Sequence, residues 1–350
     1  MLCGITDPKN LSLLVGEYTC MEVCMKPSRI ESALKTCISA KQPTFIWGPP
    51  GVGKSDVVAK VARDLKYTLI DIRAVLLDPV DLRGLPHIEN GEAVWSPPGF
   101  LPKGKGKYIL FLDELNAAPP LVQAACYQLV LDRKIGEYEL PKDAVVLAAG
   151  NRETDKAVTS RMPSPLANRF VHLDFDVDLD DWIGWGLNNG VRTEVLAFQR
   201  FRPELLYNFD PKRNEKAFAT PRSITFLSRL MDASNGEVDY DLTKGVVGEG
   251  YAAEFVGFLK IFRSLPDPAM VLMAPDKADV PTDPATLYAI CGAVASKASE
   301  QNIGNVVKYA NRLPVEFSVL LVRDCINRDD RLLKTRAFIE WTSKHADVLI

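Results

Sequence analysis

Long hydrophobic runs are missing from this sequence. No apolar stretch reaches the roughly 18 residues that a membrane-spanning helix needs, and the amino terminus lacks the basic-then-apolar pattern of a signal peptide. We therefore expect no membrane span and a cytoplasmic location. Apolar residues still make up 47% and charged residues 25% of the 350-residue chain, a balance that supports a sizeable folded core.

Cysteine is scarce and irregularly spaced. The seven cysteines include Cys20 and Cys24, four residues apart, but no second pair of ligands follows nearby, which argues against a zinc site. An odd number at irregular spacing also gives no support to a disulfide framework. Free thiols in a reducing compartment are the expected state.

The chain also lacks an excess of positive charge. With 42 basic and 45 acidic residues, its formal net charge is -3, so no overall field draws it to nucleic acid or to anionic lipid. Nucleic-acid binding is therefore not expected unless a local patch supplies it. The glycine-spaced residues Lys103, Lys105 and Lys107 form a basic loop, although a solvated turn has the same pattern.

Strand-like segments alternate with helical ones over the first half of the chain. These segments are TFIW, YTLIDIRAVLL, YILFLDEL, AVVLAAGN and RFVHLDFDV, and the second is predicted to be a buried strand. Such alternation predicts a parallel sheet covered by helices on both faces. From about residue 178 onward, helical patterns interrupted by prolines replace the strand signals. The sequence therefore predicts an α/β domain followed by helical segments.

A glycine-rich loop follows the first strand and opens a helix. The segment GPPGVGKS fits the pattern G-x-x-x-x-G-K-[ST], in which backbone N–H groups and the helix N-terminus surround phosphate oxygens. Lys54 is expected to reach the β and γ phosphates of a nucleotide, and Ser55 is expected to ligate Mg²⁺. The predicted phosphate-binding residues are Gly48, Pro49, Pro50, Gly51, Val52, Gly53, Lys54 and Ser55.

Two adjacent carboxylates end the apolar run in ILFLDELN. In P-loop NTPases an acid at the end of a neighbouring strand holds Mg²⁺, which predicts Asp113 as a metal ligand. Glu114 is then the predicted general base that polarises the attacking water. The alternative is that these acids only cap the next helix, where negative charge is favoured. That interpretation leaves the phosphate loop unexplained.

These motifs resemble those of AAA+ ATPases, and more narrowly the MoxR-like branch of the helix-2-insert clade, over about residues 28–232. The resemblance implies ATP as the nucleotide. It implies that Asn151 is the sensor-1 residue, that Arg169 is the arginine finger acting on the neighbouring subunit, and that Arg222 is the sensor-2 arginine. Arg161 is a rival for the finger, and the resemblance leaves open whether Arg222 acts within or across subunits. A turn asparagine and surface arginines are the ordinary alternatives.

An inserted hairpin is predicted near residues 85–97. Asn90-Gly91, flanked by HIE and EAVW, is a strong type I′ turn signal. The resemblance implies that this insertion lies near the central pore of a ring, with Trp95 and Phe100 as candidate contact residues. Ordinary packing of these two rings on the core is the alternative. A second, short hairpin is expected at about residues 134–142.

The predicted fold class is an α/β P-loop NTPase AAA+ core, with a parallel sheet flanked by helices, followed by a helical lid and a helical C-terminal extension. The expected division assigns residues 1–27 to an N-terminal tail or adapter and 28–178 to the nucleotide-binding domain. Residues 179–232 are assigned to the lid and 233–350 to the extension, which the resemblance does not cover.

The resemblance implies an ATPase that works at the subunit interfaces of a homo-oligomeric ring, with six subunits as the expected number. It implies that hydrolysis remodels or activates a protein client, and it suggests a von Willebrand factor A domain protein as a partner. Two alternatives stay open. One is a DNA-directed AAA+ motor, and the other is a scaffold that assembles with nucleotide but does not turn it over.

Overall fold

The computed structural model describes residues 24–155, 162–213 and 215–345. Most of the predicted tail, 1–27, lies outside these ranges, and so does the rival finger Arg161. The cysteines within the described ranges are free thiols, as expected. None of the helices in these ranges is long and apolar enough to cross a membrane.

Five parallel strands form the central sheet, in the order β2-β5-β8-β1-β9. The strands of the described chain are β1 (Thr44–Trp47), β2 (Thr68–Arg73), β3 (Leu85–Glu89), β4 (Glu92–Ser96), β5 (Tyr108–Asp113), β6 (Lys134–Ile135), β7 (Tyr138–Glu139), β8 (Ala144–Gly150) and β9 (Val171–Asp174). The predicted parallel sheet is confirmed. Because the carboxyl ends of parallel strands lie on the same side of the sheet, the residues that follow β1, β5 and β8 meet there.

The strand β2 is less buried than the sequence predicts. It ends at Arg73, and the 3₁₀ turn Ala74–Leu76 follows where the apolar run suggested more strand. Only Ile72 is buried along β2, which pairs with β5 on one side and with no strand of the described chain on the other. The prediction of a buried strand here is therefore wrong, because an apolar run does not distinguish a central strand from an edge strand.

Helices cover both faces of the sheet and continue beyond it. The helices of the described chain are α1 (Pro27–Ser39), α2 (Lys54–Asp64), α3 (Pro79–Arg83), α4 (Pro120–Asp132), α5 (Ser164–Ala167), α6 (Leu179–Asn188), α7 (Thr193–Phe201), α8 (Pro221–Ala233), α9 (Tyr240–Val247), α10 (Glu249–Arg263), α11 (Pro268–Met273), α12 (Pro284–Ser296), α13 (Ile303–Ala310), α14 (Val315–Arg328) and α15 (Arg336–Lys344). Alternate residues of β5 enter two different cores. Ile109 and Phe111 pack with α1 and α2, whereas Leu110 and Leu112 pack with α3 and α4.

The helices after β9 build two further hydrophobic cores. Helices α6 to α10 share one core, which α12 joins through Ala285 and Ala289. Helices α11 to α15 share the other. Helices on both sides of residue 232 thus belong to one core, and the division into a lid and an extension stays a prediction.

A buried ion pair connects the predicted lid to the predicted extension. Both terminal nitrogens of Arg200 in α7 donate to the carboxylate of Asp324 in α14, and both side chains are buried. Nη2 of Arg328 adds a bond of 3.1 Å to Oγ1 of Thr193 in α7. Because removing one partner would leave an uncompensated buried charge, the packing of α14 on α7 depends on keeping both Arg200 and Asp324.

The predicted type I′ hairpin is confirmed. Strands β3 and β4 pair antiparallel with Glu89 opposite Glu92, and the turn residues Asn90 and Gly91 have φ angles of 53° and 84°. Positive φ at both central positions is the requirement of this turn type. The shorter hairpin β6–β7 precedes β8, also as expected.

Candidate functional site

The glycine-rich loop joins β1 to α2 at the carboxyl ends of the parallel strands. The N–H of Gly48 donates to the carbonyl oxygen of Gly150 at 3.2 Å, which attaches the loop to the end of β8. Gly51 and Gly53 have φ angles of 78° and 100°, where side chains are rarely tolerated. Gly53 also begins α2, so the helix directs its positive end into the loop. Positive φ at these glycines and a helix that begins directly after them are features of phosphate-binding loops.

Lys54 lies between the loop and the end of β8. Its Nζ donates to the carbonyl oxygens of Gly48 at 2.7 Å and Pro49 at 3.0 Å, and to Oδ1 of Asn151 at 3.0 Å. These bonds use every N–H of an ammonium group. Burial lowers the pKa of Lys54 to about 8, although the nearby carboxylate of Asp113 opposes the shift. The two predicted site residues Lys54 and Asn151 are thus in direct contact.

The two predicted Mg²⁺ ligands also meet. Oγ of Ser55 donates to Oδ2 of Asp113 at 2.9 Å. A hydroxyl and a carboxylate oxygen are the protein ligands that Mg²⁺ takes at P-loop sites, together with phosphate oxygens. The donor set therefore fits Mg²⁺. Within the described ranges, no group of three or more His, Cys, Asp or Glu side chains is arranged to hold a metal.

Glu114 follows β5 in a conformation that separates it from Asp113. Its φ and ψ are 56° and 33°, which is uncommon for a residue with a side chain and typical of functional turns. The N–H of Glu114 donates to Oδ1 of Asp113 at 3.0 Å, while its own side chain is exposed and caps no helix. One acid is thus held against Ser55 and the other is open to water.

Asn116 is a further residue of the site that the sequence motifs do not reveal. This side chain is buried, and its Nδ2 donates to the backbone oxygen of Asn151 at 2.7 Å. Asn116 lies in the 3₁₀ turn Leu115–Ala117, directly after Glu114. It therefore ties the turn that carries the predicted base to the predicted sensor. Asparagine is common in turns, so its position after the paired acids gave no distinguishing signal.

Gly150 has no room for a side chain. A Cβ at this position would lie 2.1 Å from Oδ1 of Asn116 and 2.9 Å from Cζ of Phe45, and both neighbours are buried. Gly150→Ala is therefore expected to lower the free energy of unfolding by about 1–3 kcal/mol, measured by denaturant unfolding. Gly99→Ala is the control, because a Cβ there meets nothing within 4 Å. Equal stability of the two variants would contradict this packing.

Helix α8 begins against the phosphate loop and carries Arg222. The N–H of Arg222 donates to the carbonyl oxygen of Gly51 at 3.2 Å, and Thr220 caps the helix by accepting from the N–H of Ser223. A Cβ on Gly51 would lie 2.8 Å from Oγ1 of Thr220, so the glycine permits this close approach. A cleft of about 650 Å³ extends from Pro50 and Gly51 along α8, with Arg222 in its lining.

Arg169 lies at the amino ends of the parallel strands, whereas the phosphate loop lies at their carboxyl ends. It precedes β9, which pairs in parallel with β1 so that Val171 is opposite Thr44. The loop follows the other end of β1, and the paired strands alone span about 10 Å. Arg169 is exposed, and within the described chain its guanidinium donates a long bond of 3.4 Å to the oxygen of Pro165. The structure therefore does not bring Arg169 to its own phosphate loop.

Comparison with known proteins gives a family and two relatives. The family described as AAA domain (dynein-related subfamily) matches residues 43–170. A midasin from Giardia intestinalis is 29% identical over 187 residues, which are 49% of this chain and 4% of that protein. Protein MoxR from Paracoccus denitrificans is 30% identical over 131 residues, which are 35% of this chain and 38% of that protein. The chain thus spans less than half the length of either relative.

Solved structures align with this chain at low identity and low TM-score. NtrX from Brucella abortus in complex with ADP aligns with 92% of this chain and 68% of its own at 13% identity, with a TM-score of 0.42. The RuvB branch migration motor from Thermotoga maritima aligns with 72% of this chain and 75% of its own at 16% identity, with a TM-score of 0.36. TM-scores this low add no weight to the family match, the MoxR alignment and the motif geometry. The family match and the motif geometry place an AAA domain at residues 43–170, and part of the chain is similar to protein MoxR.

Proposed function

We propose that this chain hydrolyses ATP where two copies meet in a ring, and that hydrolysis remodels or activates a protein client. The supporting observation is that the predicted catalytic groups lie at opposite ends of the parallel strands. At the carboxyl ends of the strands, Asp113 accepts a hydrogen bond from Ser55 and attracts the charge of Lys54, which also donates to Asn151. Glu114 directly follows Asp113. Arg169 is exposed at the amino ends of the strands. One copy thus holds every predicted group except the finger, which a second copy can supply.

The proposed roles within one copy follow the hydrogen bonds. Ser55 and Asp113 would hold Mg²⁺, which would neutralise phosphate charge when bound. Lys54 exchanges its carbonyl acceptors for phosphate oxygens. Glu114, which is open to water, takes a proton from the attacking water molecule. Asn151 orients that water from the end of β8.

Arg169 is proposed to act across the interface, and Arg222 within its own copy. The guanidinium of Arg169 contacts the γ-phosphate bound by the next copy and stabilises the charge that develops there. Arg222 is the second residue of α8, and its N–H donates to Gly51 of its own copy, which favours a role on the phosphates of that copy. A contact that uses different surfaces on the two partners generates a closed ring when the rotation permits. Six subunits is the number that the family resemblance implies.

The hairpin β3–β4 is the proposed contact with the client. One of its faces carries Pro86, Ile88, Ala93 and Trp95, and Ile88 is 82% exposed. A contiguous exposed apolar face marks a protein interaction site. Phe100, the other candidate, packs against the sheet core instead. A protein client therefore suits this hairpin, and a von Willebrand factor A domain protein is proposed as the partner on family grounds.

The proposed function is tested by asking whether hydrolysis depends on assembly. We expect the rate per chain to rise with protein concentration. We also expect a slowly hydrolysed ATP analogue to favour a larger species than ADP does, measured by sedimentation. A constant rate per chain in a protein that sediments as a single copy would contradict the proposal. Nucleotide-dependent assembly without phosphate release would favour the scaffold.

A DNA-directed motor is the second candidate. Lys103, Lys105 and Lys107 are all exposed in the loop before β5, and this observation favours it. The net charge of -3 weighs against it. The ATPase rate with and without DNA at low salt separates the two functions. Strong stimulation that is lost when the three lysines are replaced by glutamine would favour the motor.

The lowered pKa of Lys54 predicts a pH dependence of ATP binding. A pKa of about 8 means that the nucleotide-free protein carries an ammonium group below this pH and a neutral amine above it. Because phosphate oxygens favour the ammonium form, ATP binding above pH 8 takes up a proton. The affinity therefore falls by up to about tenfold for each pH unit above the pKa. Calorimetry at pH 7 and pH 9, in buffers of different ionisation enthalpy, measures both quantities.

Two substitutions assign this proton to Lys54. In Lys54→Arg the guanidinium stays charged at both pH values, so proton uptake is expected to disappear. Lys60→Arg is the control, because Lys60 lies on the exposed side of α2 and pairs with Glu31 at 2.6 Å. Equal affinity at the two pH values, with no proton uptake in the unmodified protein, would refute the prediction.

A further inference from the structure

A histidine bridges the start of the phosphate loop and the turn that precedes Arg169. His172 lies in β9, where Nε1 of Trp47 donates to Nδ1 of His172 at 2.8 Å. On the other side of the imidazole, Nε2 lies 2.8 Å from the carbonyl oxygen of Ala167. Neither His172 nor Trp47 belongs to the motifs that identify the family.

The two partners determine which nitrogen of His172 carries the proton. An indole N–H can only donate a hydrogen bond, and a carbonyl oxygen can only accept one. Nδ1 is therefore the acceptor, and Nε2 carries the proton that it donates to Ala167. The imidazole makes two directional bonds on opposite sides, and it would lose both if the ring turned over.

These bonds connect the carboxyl end of β1 with the turn at the amino end of β9. Trp47 ends β1 and directly precedes Gly48, the first residue of the phosphate loop. Ala167 ends the short helix α5, which leads within two residues to Arg169. The Arg169 guanidinium itself lies along the same turn, 3.4 Å from the oxygen of Pro165. The Trp47 side chain and the imidazole together therefore link the residue before the phosphate loop to the turn that precedes Arg169 within one copy.

Aromatic packing restrains the imidazole. Phe45 is opposite His172 in the β1–β9 pairing, and the centroids of the two rings are 6.2 Å apart. Phe170 meets Phe45 edge-on, at 5.6 Å and 79° between the ring planes. Phe45 and Phe170 are buried, and Trp47 packs against the same core. His172 is exposed, but the indole that donates to it packs against the buried sheet core.

We infer that His172 is a positioning residue for the finger. It holds the turn of Arg169 relative to the phosphate loop of the same copy, and so couples the nucleotide site of one copy to the finger that this copy presents to its neighbour. This inference rests on the proposed function, in which Arg169 acts on the neighbouring copy. Displacing a reacting group by about 1 Å can cost about a hundredfold in rate. Loss of the bridge should therefore slow turnover without weakening ATP binding.

A matched pair of substitutions tests the bond to Ala167. The amide nitrogen of glutamine reaches the position of Nε2 and can donate to Ala167, whereas the shorter asparagine reaches only the position of Nδ1. His172→Gln loses only the bond from Trp47 and is expected to lose less turnover than His172→Asn, which loses the bond to Ala167 beside Arg169 and is expected to lose about tenfold to a hundredfold in kcat. The Kd for a slowly hydrolysed ATP analogue is expected to stay unchanged in both. Equal kcat in the two variants, or weakened binding of the analogue, overturns the inference.

Thermal unfolding establishes that both variants are folded. If His172→Asn does not fold, Trp47→Phe replaces it, because phenylalanine keeps an aromatic ring in the core but removes the donor to Nδ1. A fall in kcat at unchanged Kd is then expected. This fall should be smaller than the one caused by losing the bond to Ala167. An unchanged kcat in Trp47→Phe overturns the inference in that case.

Mixing variant copies shows on which side of the interface the defect lies. Glu114→Gln copies lack the base but present an intact finger, so they are expected to raise the turnover of His172→Asn copies. The same mixture with Arg169→Ala copies tests the proposed function by itself. If Glu114→Gln rescues Arg169→Ala but not His172→Asn, the role of His172 is wrong. If it rescues neither, the finger does not act between copies, and the inference fails with it.

Discussion

Glu114→Gln is expected to bind ATP normally and to lose turnover by about 10²–10⁴-fold, the usual contribution of a general base. Glutamine has the same shape but cannot accept a proton from water. The contact of 2.9 Å between Ser55 and Asp113 does not involve the Glu114 side chain, which is exposed. The nucleotide site should therefore remain intact. Phosphate release in a single turnover, together with the Kd of a fluorescent ATP analogue, measures the two effects separately.

Glu137→Gln is the matched control for this substitution. Glu137 is exposed in the turn between β6 and β7, so the same charge is removed away from the loop and the paired acids. Its turnover is expected to equal that of the unmodified protein. Hydrolysis by Glu114→Gln at the unmodified rate would mean that another group is the base. Because Glu114→Gln should retain ATP, it is also the form in which a client is expected to stay bound during affinity purification.

Arg169→Ala is expected to lose turnover by about 10³–10⁵-fold, the contribution of an arginine finger in GTPases. The guanidinium is exposed, and its recorded bond in the described chain is the long one to the oxygen of Pro165. Truncation should therefore leave the free energy of unfolding and the affinity for ATP unchanged. The measurement is kcat for steady-state hydrolysis, with the thermal unfolding midpoint recorded alongside.

Two further arginine variants complete this experiment. Arg336→Ala is the control, because Arg336 is an exposed residue of α15 whose guanidinium pairs with Glu340 at 2.6 Å. Arg161→Ala tests the rival finger, which lies outside the described residues. If Arg161→Ala stops turnover and Arg169→Ala does not, the finger is Arg161. Normal turnover in both variants would remove a trans-acting arginine from the mechanism.

Short-range features of this protein could be predicted from the sequence because a few neighbouring residues decide them. The phosphate loop needs glycine where φ is positive, and Gly51 and Gly53 have φ angles of 78° and 100°. The hairpin β3–β4 needs Asn90-Gly91 for the same reason. The central strands could be recognised because their apolar runs end in turn residues or in the paired acids. Local conformation follows from local composition in each of these cases.

Features that depend on contacts between distant segments could not be predicted in this way. The apolar run at β2 predicted a buried strand, but its place at the sheet edge leaves most of it accessible. Arg200 and Asp324 each look like surface residues in the sequence, yet they form a buried pair between α7 and α14. Burial and pairing depend on which elements pack together, and no short segment encodes that arrangement.

The functional site likewise combines features that neighbouring residues specify with features that depend on contacts between distant segments. Taken alone, the sequence determined the loop at residues 48–55, the paired acids Asp113 and Glu114, and the helical character of the second half, because periodicity and residue type specify them locally. Only the tertiary structure decided that Asn116 holds Asn151 and that His172 connects Trp47 to Ala167. The reason is that the order of strands in the sheet brings these residues together, and strand order is set by packing over the whole domain.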